Sequence, residues 1–329
     1  MCEEHDMNYM QIKTPDGLLQ FSKIVLGTDY FGTTVSEKDA FLLMDVFMDA
    51  GGNCIDTARV YTAWLLDGEG ASESLIGRWL KQRGNREKVV ISTKGGHPPV
   101  KRMNEGRLSR ACIESDLEES LKVLNVNEID LYWLHRDEVT RPVEEIMETM
   151  SRLVSSGKIR AIGCSNWKIE RIREANAYAQ THGLVPFCAS QIQWSLAFST
   201  PEAHKDPTIV CMNGEDYTWY LENNLPVMAY SSQAQGFFSM AAAHGLNSIN
   251  QKAFERFLTP ENIARLERVK AYAAQNGLSH TAVVLGYILC NRLPAMAIIG
   301  CKTMEQLKDS LTAADIMMQA DLADWLYEG

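Results

Sequence analysis

The chain alternates short apolar runs with longer segments in which apolar residues recur at helical spacing. Eight of the short runs have the length and composition of strands that are buried in a parallel sheet. These runs are residues 23–27, 52–57, 89–93, 129–135, 159–165, 188–193, 226–230 and 295–300. Strands that alternate with helices indicate an α/β chain built from parallel βα units. Eight such units predict a closed (β/α)8 TIM barrel.

The segment after the first predicted strand has a helical period. Ala40, Leu43, Phe47 and Ala50 are spaced three, four and three residues apart, and Ser36 stands where an N-cap is expected. Upstream, Pro-Asp-Gly separates two alternating runs within residues 10–23, which predicts a β-hairpin. We expect this hairpin to cap the bottom of the barrel.

A length of 329 residues allows either two domains or one long barrel. Because the βα pattern continues along the chain without a linker, we interpret residues 1–329 as one barrel domain. The connections 194–225 and 231–294 are longer than a minimal barrel requires. Long connections at the carboxyl ends of barrel strands usually shape the substrate site. The first contains prolines and a glycine, which predicts an irregular course.

Composition and charge exclude several classes of protein. The net charge is −10 and no cluster of Lys and Arg occurs, which argues against nucleic acid as a partner. The acidic N-terminus lacks the layout of a signal peptide, and no apolar run is long enough to span a bilayer, so we expect a cytoplasmic protein without a membrane partner. The eight cysteines include no CxxC pair, so we expect neither disulfides nor a metal site. The oligomeric state is not encoded in any pattern that one sequence shows.

Candidate catalytic residues follow three successive predicted strands, while the GxGxxG, P-loop, HExxH and GxSxG motifs are absent. Asp56 and Tyr61 follow the second strand, Lys94 the third and His135 the fourth. A tyrosine phenol, with an unperturbed pKa of about 10, donates a proton more readily beside a cation, which Lys94 would supply. Asp56 would hold the ammonium in place. His135 would orient a carbonyl oxygen for hydride attack.

These residues lie in stretches that resemble the aldo-keto reductase family over nearly the whole chain, from LGTDYFG at 26–32 to IIGCKTMEQLKDSL at 298–311. NCIDTARVY, STKGG, DLYWLHRDE and GKIRAIGCSNW are each similar to a separate family motif. The resemblance implies that Asp56, Tyr61, Lys94 and His135 form a catalytic tetrad. It also implies an NAD(P)(H)-dependent oxidoreductase that transfers a hydride between nicotinamide and the carbonyl of an aldehyde, ketone or sugar-like substrate. Tyr61 would be the general acid in reduction.

The resemblance further implies that the cofactor binds in an extended form. Ser165, Asn166 and Gln191 would bind the nicotinamide carboxamide, for which they offer paired donors and acceptors, and Tyr230 would stack on the ring. Lys302 would pair with the 2′-phosphate, which favours NADP(H) over NAD(H). The other implied cofactor contacts are Gly27, Thr28, Ser231, Gln233, Gln235, Gly300, Gln306 and Ser310.

The predicted helix after the last strand begins with a capping box formed by Thr303 and Gln306, which would leave free amides facing an anion. Many family members have Arg and Asn where this chain has Gln306 and Ser310, which weakens the inferred preference for NADP(H).

Aromatic and polar side chains are concentrated where the barrel mouth is expected. The candidate substrate contacts are Tyr30, Trp64, His97, Arg136, Trp167 and Trp219. They favour a small polar substrate, such as a sugar or keto-glycoside, over a steroid-like one. Two alternatives remain: a sugar or glycoside dehydrogenase that works in the oxidative direction, and a cofactor-binding regulatory or scaffold protein. The intact tetrad argues against the second.

Overall fold

The computed structural model describes residues 7–65, 68–316 and 319–329. The chain begins with an antiparallel hairpin, β1 (Tyr9–Thr14) and β2 (Gly17–Ser22), in which Thr14 is opposite Gly17. Buried hairpin residues, including Phe21, pack in one cluster with the side chains that fill the barrel interior. The hairpin therefore closes one end of the barrel, and its prediction from Pro-Asp-Gly is confirmed.

Eight parallel strands form a closed barrel, and strand β10 pairs with both β9 and β3 to complete it. Each strand lies within two residues of a run predicted from the sequence, so the (β/α)8 TIM barrel is confirmed. The strands are β3 (Ile24–Gly27), β4 (Cys54–Asp56), β5 (Val90–Gly95), β6 (Ile129–Leu134), β7 (Ile159–Ser165), β8 (Ser190–Gln193), β9 (Val227–Tyr230) and β10 (Ala295–Ile299).

Helices cover the outside of the barrel. The predicted helix after β3 is α1 (Glu37–Asp49), where the Ser36 side chain accepts a hydrogen bond from the Asp39 amide and Ala40, Leu43 and Phe47 are buried. The other helices are α2 (Ala71–Arg83), α3 (Arg110–Leu124), α4 (Val143–Ser155), α5 (Ile169–Thr181), α6 (Pro201–His204), α7 (Gly214–Glu222), α8 (Phe237–His244), α9 (Gln251–Phe257), α10 (Pro260–Asn276), α11 (His280–Leu289), α12 (Met304–Leu311) and α13 (Ala320–Glu328). No helix in the described ranges is long and apolar enough to cross a membrane.

The two long connections differ in structure. The first is irregular around the one-turn helix α6, as predicted, and then forms α7. The second contains α8 to α11, and α11 is buried from Thr281 to Leu289. Much of the second connection therefore packs against the barrel as helices.

The barrel interior is filled by side chains, and Trp133 is the largest of them. Its indole N–H donates a hydrogen bond to the Ser92 hydroxyl at 2.7 Å. The indole lies against the backbone of β7 at Gly163, where a Cβ atom would lie 2.3 Å from Cε3 of Trp133. Only glycine leaves room for the indole at this position.

We expect Gly163→Ala to lower the free energy of unfolding by about 1–3 kcal/mol, because the added methyl group overpacks the barrel interior. Urea unfolding measures the change. Gly214→Ala is the matched control, since a Cβ at Gly214 meets nothing within 4 Å. Stabilities of Gly163→Ala and wild type that agree within error would contradict this packing.

Candidate active site

The four predicted catalytic residues meet at the carboxyl ends of three neighbouring strands. Asp56 ends β4, Lys94 lies near the end of β5 and His135 directly follows β6. Tyr61 lies in the turns after β4. Because β4, β5 and β6 are adjacent in the barrel, their ends share one part of the rim.

The centre of the site is a buried ion pair. The Lys94 ammonium lies 2.5 Å from Asp56 Oδ2, 2.8 Å from the Thr57 carbonyl oxygen and 2.8 Å from the Tyr61 hydroxyl. An ammonium group has three N–H donors, so all of them are used. Lys94 is 1% exposed and Asp56 is fully buried. At this depth an unpaired charge would be strongly destabilising, so each residue requires the other.

The Asp56 carboxylate is held by further donors. Its Oδ1 accepts hydrogen bonds from the Ser92 hydroxyl at 2.8 Å and from the Gln191 amide at 3.0 Å. Sequence reasoning missed Ser92, although it lies two residues before Lys94 on a buried strand. Residues two apart on a strand share a face, so this spacing was the signal that could have found it.

Tyr61 is half-buried and packs against the ion pair. Its ring centroid lies 4.5 Å from the Lys94 ammonium, and its hydroxyl lies 3.3 Å from Asp56 Oδ2. Burial raises the pKa of Tyr61 well above its usual value, and the negative charge of Asp56 adds to this. The sequence predicts that Lys94 makes the phenol more acidic, but burial and the charge of Asp56 outweigh any such effect, so the phenol is less acidic than usual overall. Tyr61 is protonated at neutral pH, which is the form that donates a proton.

His135 is held as a neutral imidazole. Its amide donates to the Gly95 carbonyl at 2.8 Å, and within the described part of the chain its Nδ1 is enclosed without a hydrogen-bond partner. Burial lowers the pKa of His135 well below its usual value, with smaller effects from His97, Arg136 and Lys94. Because Nδ1 has no acceptor, the proton belongs on Nε2, which makes Nε2 the donor of this ring.

A cavity of about 630 Å³ opens beside Tyr61 and His135. It includes three of the predicted substrate residues, Trp64, His97 and Arg136. The remaining lining residues are Val60, Val100, Met103, Asn104, Lys205, Asp206, Pro207 and Thr208. Most of these remaining residues come from two loops, one at 100–104 and one at 205–208. The sequence indicated that the second, within 194–225, would shape the site, whereas the first was missed. Its available signal was the glycines and prolines of GGHPP, which begins at the last residue of β5.

Three predicted substrate residues do not line the cavity. Trp167 is fully buried and packs edge-on against Phe187 at 5.1 Å, so its ring points into the core. Trp219 packs on α7 against Tyr220 at 5.4 Å. Tyr30 follows β3, which neighbours β4, and the Lys302 ammonium is 3.8 Å from its ring centroid. Trp167 is therefore enclosed by core packing, whereas contacts of a substrate with Trp219 and Tyr30 stay predictions.

The predicted nicotinamide contacts lie together on the next strands of the rim. The Asn166 amide nitrogen donates to the Ser165 hydroxyl at 3.0 Å, and its Oδ1 accepts from the Tyr230 hydroxyl at 2.7 Å. The Asn166 backbone N–H donates to the Gln191 carbonyl at 3.1 Å. These amide and hydroxyl groups match in chemistry the donors and acceptors of a carboxamide.

The other predicted cofactor contacts lie near the ends of β9 and β10. The Gln233 amide donates to the Ser310 hydroxyl at 2.9 Å, which ties the loop after β9 to α12. A Cβ at Gly300 would meet only Asp29 Oδ1, at 3.9 Å, so the space beside Gly300 is open. Ser231 and Gln235 have positive φ angles of 52° and 54°. Such strain in residues other than glycine is typical of functional loops.

The predicted capping box at the start of α12 forms, with one difference. The Thr303 hydroxyl accepts a hydrogen bond from the backbone N–H of Gln306 at 3.3 Å. The side-chain oxygen of Gln306 accepts one from the backbone N–H of Lys302 at 2.8 Å. The Lys302 amide is thus engaged, while the prediction that other amides at this helix start face an anion stays a prediction. Asp29, which the sequence reasoning missed, lies nearby, and burial raises its pKa to about 6 although Lys302 opposes the shift.

Gly27 and Thr28 are enclosed in the barrel wall. A Cβ at Gly27 would lie 2.7 Å from Cγ2 of Ile298. The fully buried Thr28 hydroxyl donates to the Asp56 carbonyl at 3.0 Å and lies 2.9 Å from the Ser72 hydroxyl. Close strand packing occupies both side-chain positions, and the contact of these residues with a cofactor stays a prediction.

A sequence model of the aldo/keto reductase family matches residues 23–324. The chain belongs to the aldo/keto reductase family. This reductase is 29% identical over 326 residues to norsolorinic acid reductase of Emericella nidulans, covering 94% of this chain and 78% of that protein. It is 32% identical over 310 residues to an uncharacterized oxidoreductase of Bacillus subtilis, covering 92% of this chain and 90% of that protein. It is 26% identical over 305 residues to the aryl-alcohol dehydrogenase [NADP(+)] of Phanerodontia chrysosporium, covering 89% and 76%.

The matches confirm the resemblance stated from the motifs. Like the family to which it belongs, this aldo/keto reductase is an NAD(P)H-dependent oxidoreductase that acts on a small molecule.

The buried histidines predict how stability depends on pH. Burial, with a smaller effect of Arg136, lowers the pKa of His97 to about 4 from a usual 6.5. Between pH 6.5 and 4, His97 is protonated in the unfolded chain but neutral in the folded one. The free energy of unfolding therefore decreases as pH falls from 6.5 towards 4. We expect His97→Phe to reduce this loss by about 1 kcal/mol per pH unit. His244→Asn, at an exposed histidine, should keep the wild-type slope. Urea unfolding across this pH range decides, and equal slopes for His97→Phe and wild type would contradict the assignment.

Proposed function

We propose that this enzyme transfers a hydride between NADP(H) and the carbonyl of an aldehyde, ketone or sugar-like substrate, with Tyr61 as the general acid in reduction. The observation that carries the proposal is the contact of the Lys94 ammonium with both Asp56 and the Tyr61 hydroxyl beside the cavity. This arrangement supports proton transfer from the phenol to a carbonyl oxygen. It also argues against a purely regulatory or scaffold role, which would not require such a buried ion pair.

The cofactor would be held along the part of the rim formed by β7 to β10. Ser165, Asn166 and Gln191 would bind the carboxamide, and Tyr230 would lie against the ring. When bound, the nicotinamide supplies or accepts the hydride. Lys302 is exposed at the start of α12 and would reach the 2′-phosphate. Its charge and the NADP(+) in the name of the Phanerodontia chrysosporium relative support NADP(H) over NAD(H).

In reduction, the carbonyl oxygen would accept hydrogen bonds from the Tyr61 hydroxyl and from His135 Nε2. As the oxygen becomes basic, the phenol proton moves to it. The Lys94 ammonium at 2.8 Å stabilises the negative charge left on Tyr61. Asp56 keeps the ammonium in place throughout. The neutral His135 donates a hydrogen bond and leaves the proton transfer to Tyr61.

The walls and the floor of the cavity support different parts of a substrate. Trp64, Val100 and Met103 offer apolar surface, whereas Tyr61 and His135 are polar. The names of the relatives refer to norsolorinic acid and to aryl alcohols, which supports a substrate with an aromatic part. The second name also supports a second candidate, oxidation of an alcohol, in which Tyr61 accepts the proton instead.

Tyr61→Phe removes only the phenolic oxygen. We expect it to lower kcat by about 10²–10⁴, the range typical of acid–base groups, while leaving the dissociation constant of NADPH unchanged. NADPH oxidation against aldehydes, ketones, quinones and keto-sugars measures the rate. Tyr217→Phe is the matched control, because that hydroxyl binds Asn291 at 2.7 Å outside the cavity. Wild-type turnover by Tyr61→Phe would refute the assigned role.

Lys302→Met tests the cofactor preference. Lys302 would bind the 2′-phosphate, which NADPH carries and NADH lacks. Because the variant loses this charged hydrogen bond only with NADPH, we expect KM for NADPH to rise about ten-fold and KM for NADH to stay constant. The control is Lys308→Met. Lys308 is an exposed lysine within α12, and its replacement should change neither constant. A similar rise for both cofactors would exclude a contact specific to the 2′-phosphate.

A further inference from the structure

A second histidine stands beside His135 on the floor of the cavity. His97 lies three residues after Lys94, in the loop that follows β5, and its ring meets the His135 ring edge-on with 4.7 Å between centroids and 69° between planes. Both rings line the cavity. A group bound by His97 would therefore lie next to the group bound by His135.

The hydrogen bond of His97 fixes which nitrogen carries its proton. Nδ1 lies 2.5 Å from the Pro98 carbonyl oxygen. A carbonyl oxygen only accepts hydrogen bonds, so Nδ1 is the donor and Nε2 carries the lone pair. With its pKa lowered to about 4 by burial, the ring is neutral at pH 7 and keeps that lone pair.

The lone pair of Nε2 is open to the cavity. Within the described ranges, no protein group forms a hydrogen bond with Nε2 of His97, and this nitrogen is not among the enclosed polar atoms. The neighbouring acceptor Asp206 is already engaged, since its Oδ1 accepts from the amide and the hydroxyl of Thr208 at 2.9 Å and 2.6 Å. Among the described residues, His97 Nε2 is therefore an unengaged acceptor beside His135.

We propose that His97 Nε2 accepts a hydrogen bond from a substrate hydroxyl on the carbon next to the carbonyl, so that the enzyme prefers α-hydroxy ketones and α-hydroxy aldehydes. This inference rests on the proposed function, in which the carbonyl oxygen binds Tyr61 and His135. The two adjacent imidazoles then bind adjacent oxygens, one as a donor and the other as an acceptor. The apolar wall at Trp64, Val100 and Met103 receives an aryl group on the same molecule.

Ligand binding tests the inference without relying on turnover. The affinities of 1-phenylethane-1,2-diol and 1-phenylethanol are measured by calorimetry on the protein saturated with NADP⁺. We expect the wild type to bind the diol about ten-fold more tightly, because only the diol carries the second hydroxyl. His97→Phe keeps the edge-on ring but removes the acceptor, and should bind both alcohols alike. His97→Gln keeps an acceptor and should restore part of the preference.

Equal affinities in the wild type, including no measurable binding of either alcohol, would overturn the inference. Turnover gives an independent measure through kcat/KM for 2-hydroxyacetophenone and acetophenone. His97→Phe should lower the ratio of the first to the second about ten-fold. An equal fall for both ketones would show that His97 only supports His135, and would also overturn the inference. Failure of the proposed function has a different signature: no carbonyl oxidises NADPH, while the preference for the diol in binding persists.

Discussion

The buried ion pair between Lys94 and Asp56 is the interaction on which the site depends. Neither charge is in contact with solvent, so the barrel must supply every partner that water would otherwise provide. It does so from several strands, with Ser92 on β5 and Gln191 on β8 donating to Asp56. The third donor of the ammonium is directed at Tyr61. The same contacts that make the pair tolerable inside the barrel therefore place the phenol.

The order of strands around the barrel separates two tasks. The tetrad stands on β4, β5 and β6 or the turns that follow them, and the proposed cofactor contacts stand on the neighbouring strands β7 to β10. Backbone strain is found on both parts of this rim. Thr62 and Asn166, which follow β4 and β7, have φ angles of 67° and 60°, in the left-handed region that favours glycine. The Asn166 side chain accepts a hydrogen bond from Tyr230 across the rim, whereas the Thr62 hydroxyl donates within its own loop to the Gly68 carbonyl oxygen.

The floor of the cavity, formed by Tyr61, His97 and His135, is neutral, while the charged side chains of Arg136, Lys205 and Asp206 also line the cavity. Burial holds His97 and His135 unprotonated and Tyr61 protonated at pH 7. A neutral floor recognises its ligand by the direction of each hydrogen bond, with donors at Tyr61 and His135 and an acceptor at His97. Such a floor suits a polyfunctional substrate whose oxygen atoms differ in donor and acceptor character.

The sequence by itself determined the strands, the hairpin, α1 and the four residues that meet at the ion pair. Hydrophobic runs report burial on a strand, and the residues that follow parallel strands share one rim, so local patterns were sufficient for these features. Tertiary structure alone decided that Trp167 packs in the core, that Thr28 is used within the barrel wall and that the Tyr61 phenol is less acidic than usual. Each of these depends on the depth of a side chain and on neighbours distant in the chain. A residue's position in a motif carries no information about either, because burial and rotamer are set by packing against elements that the motif does not contain.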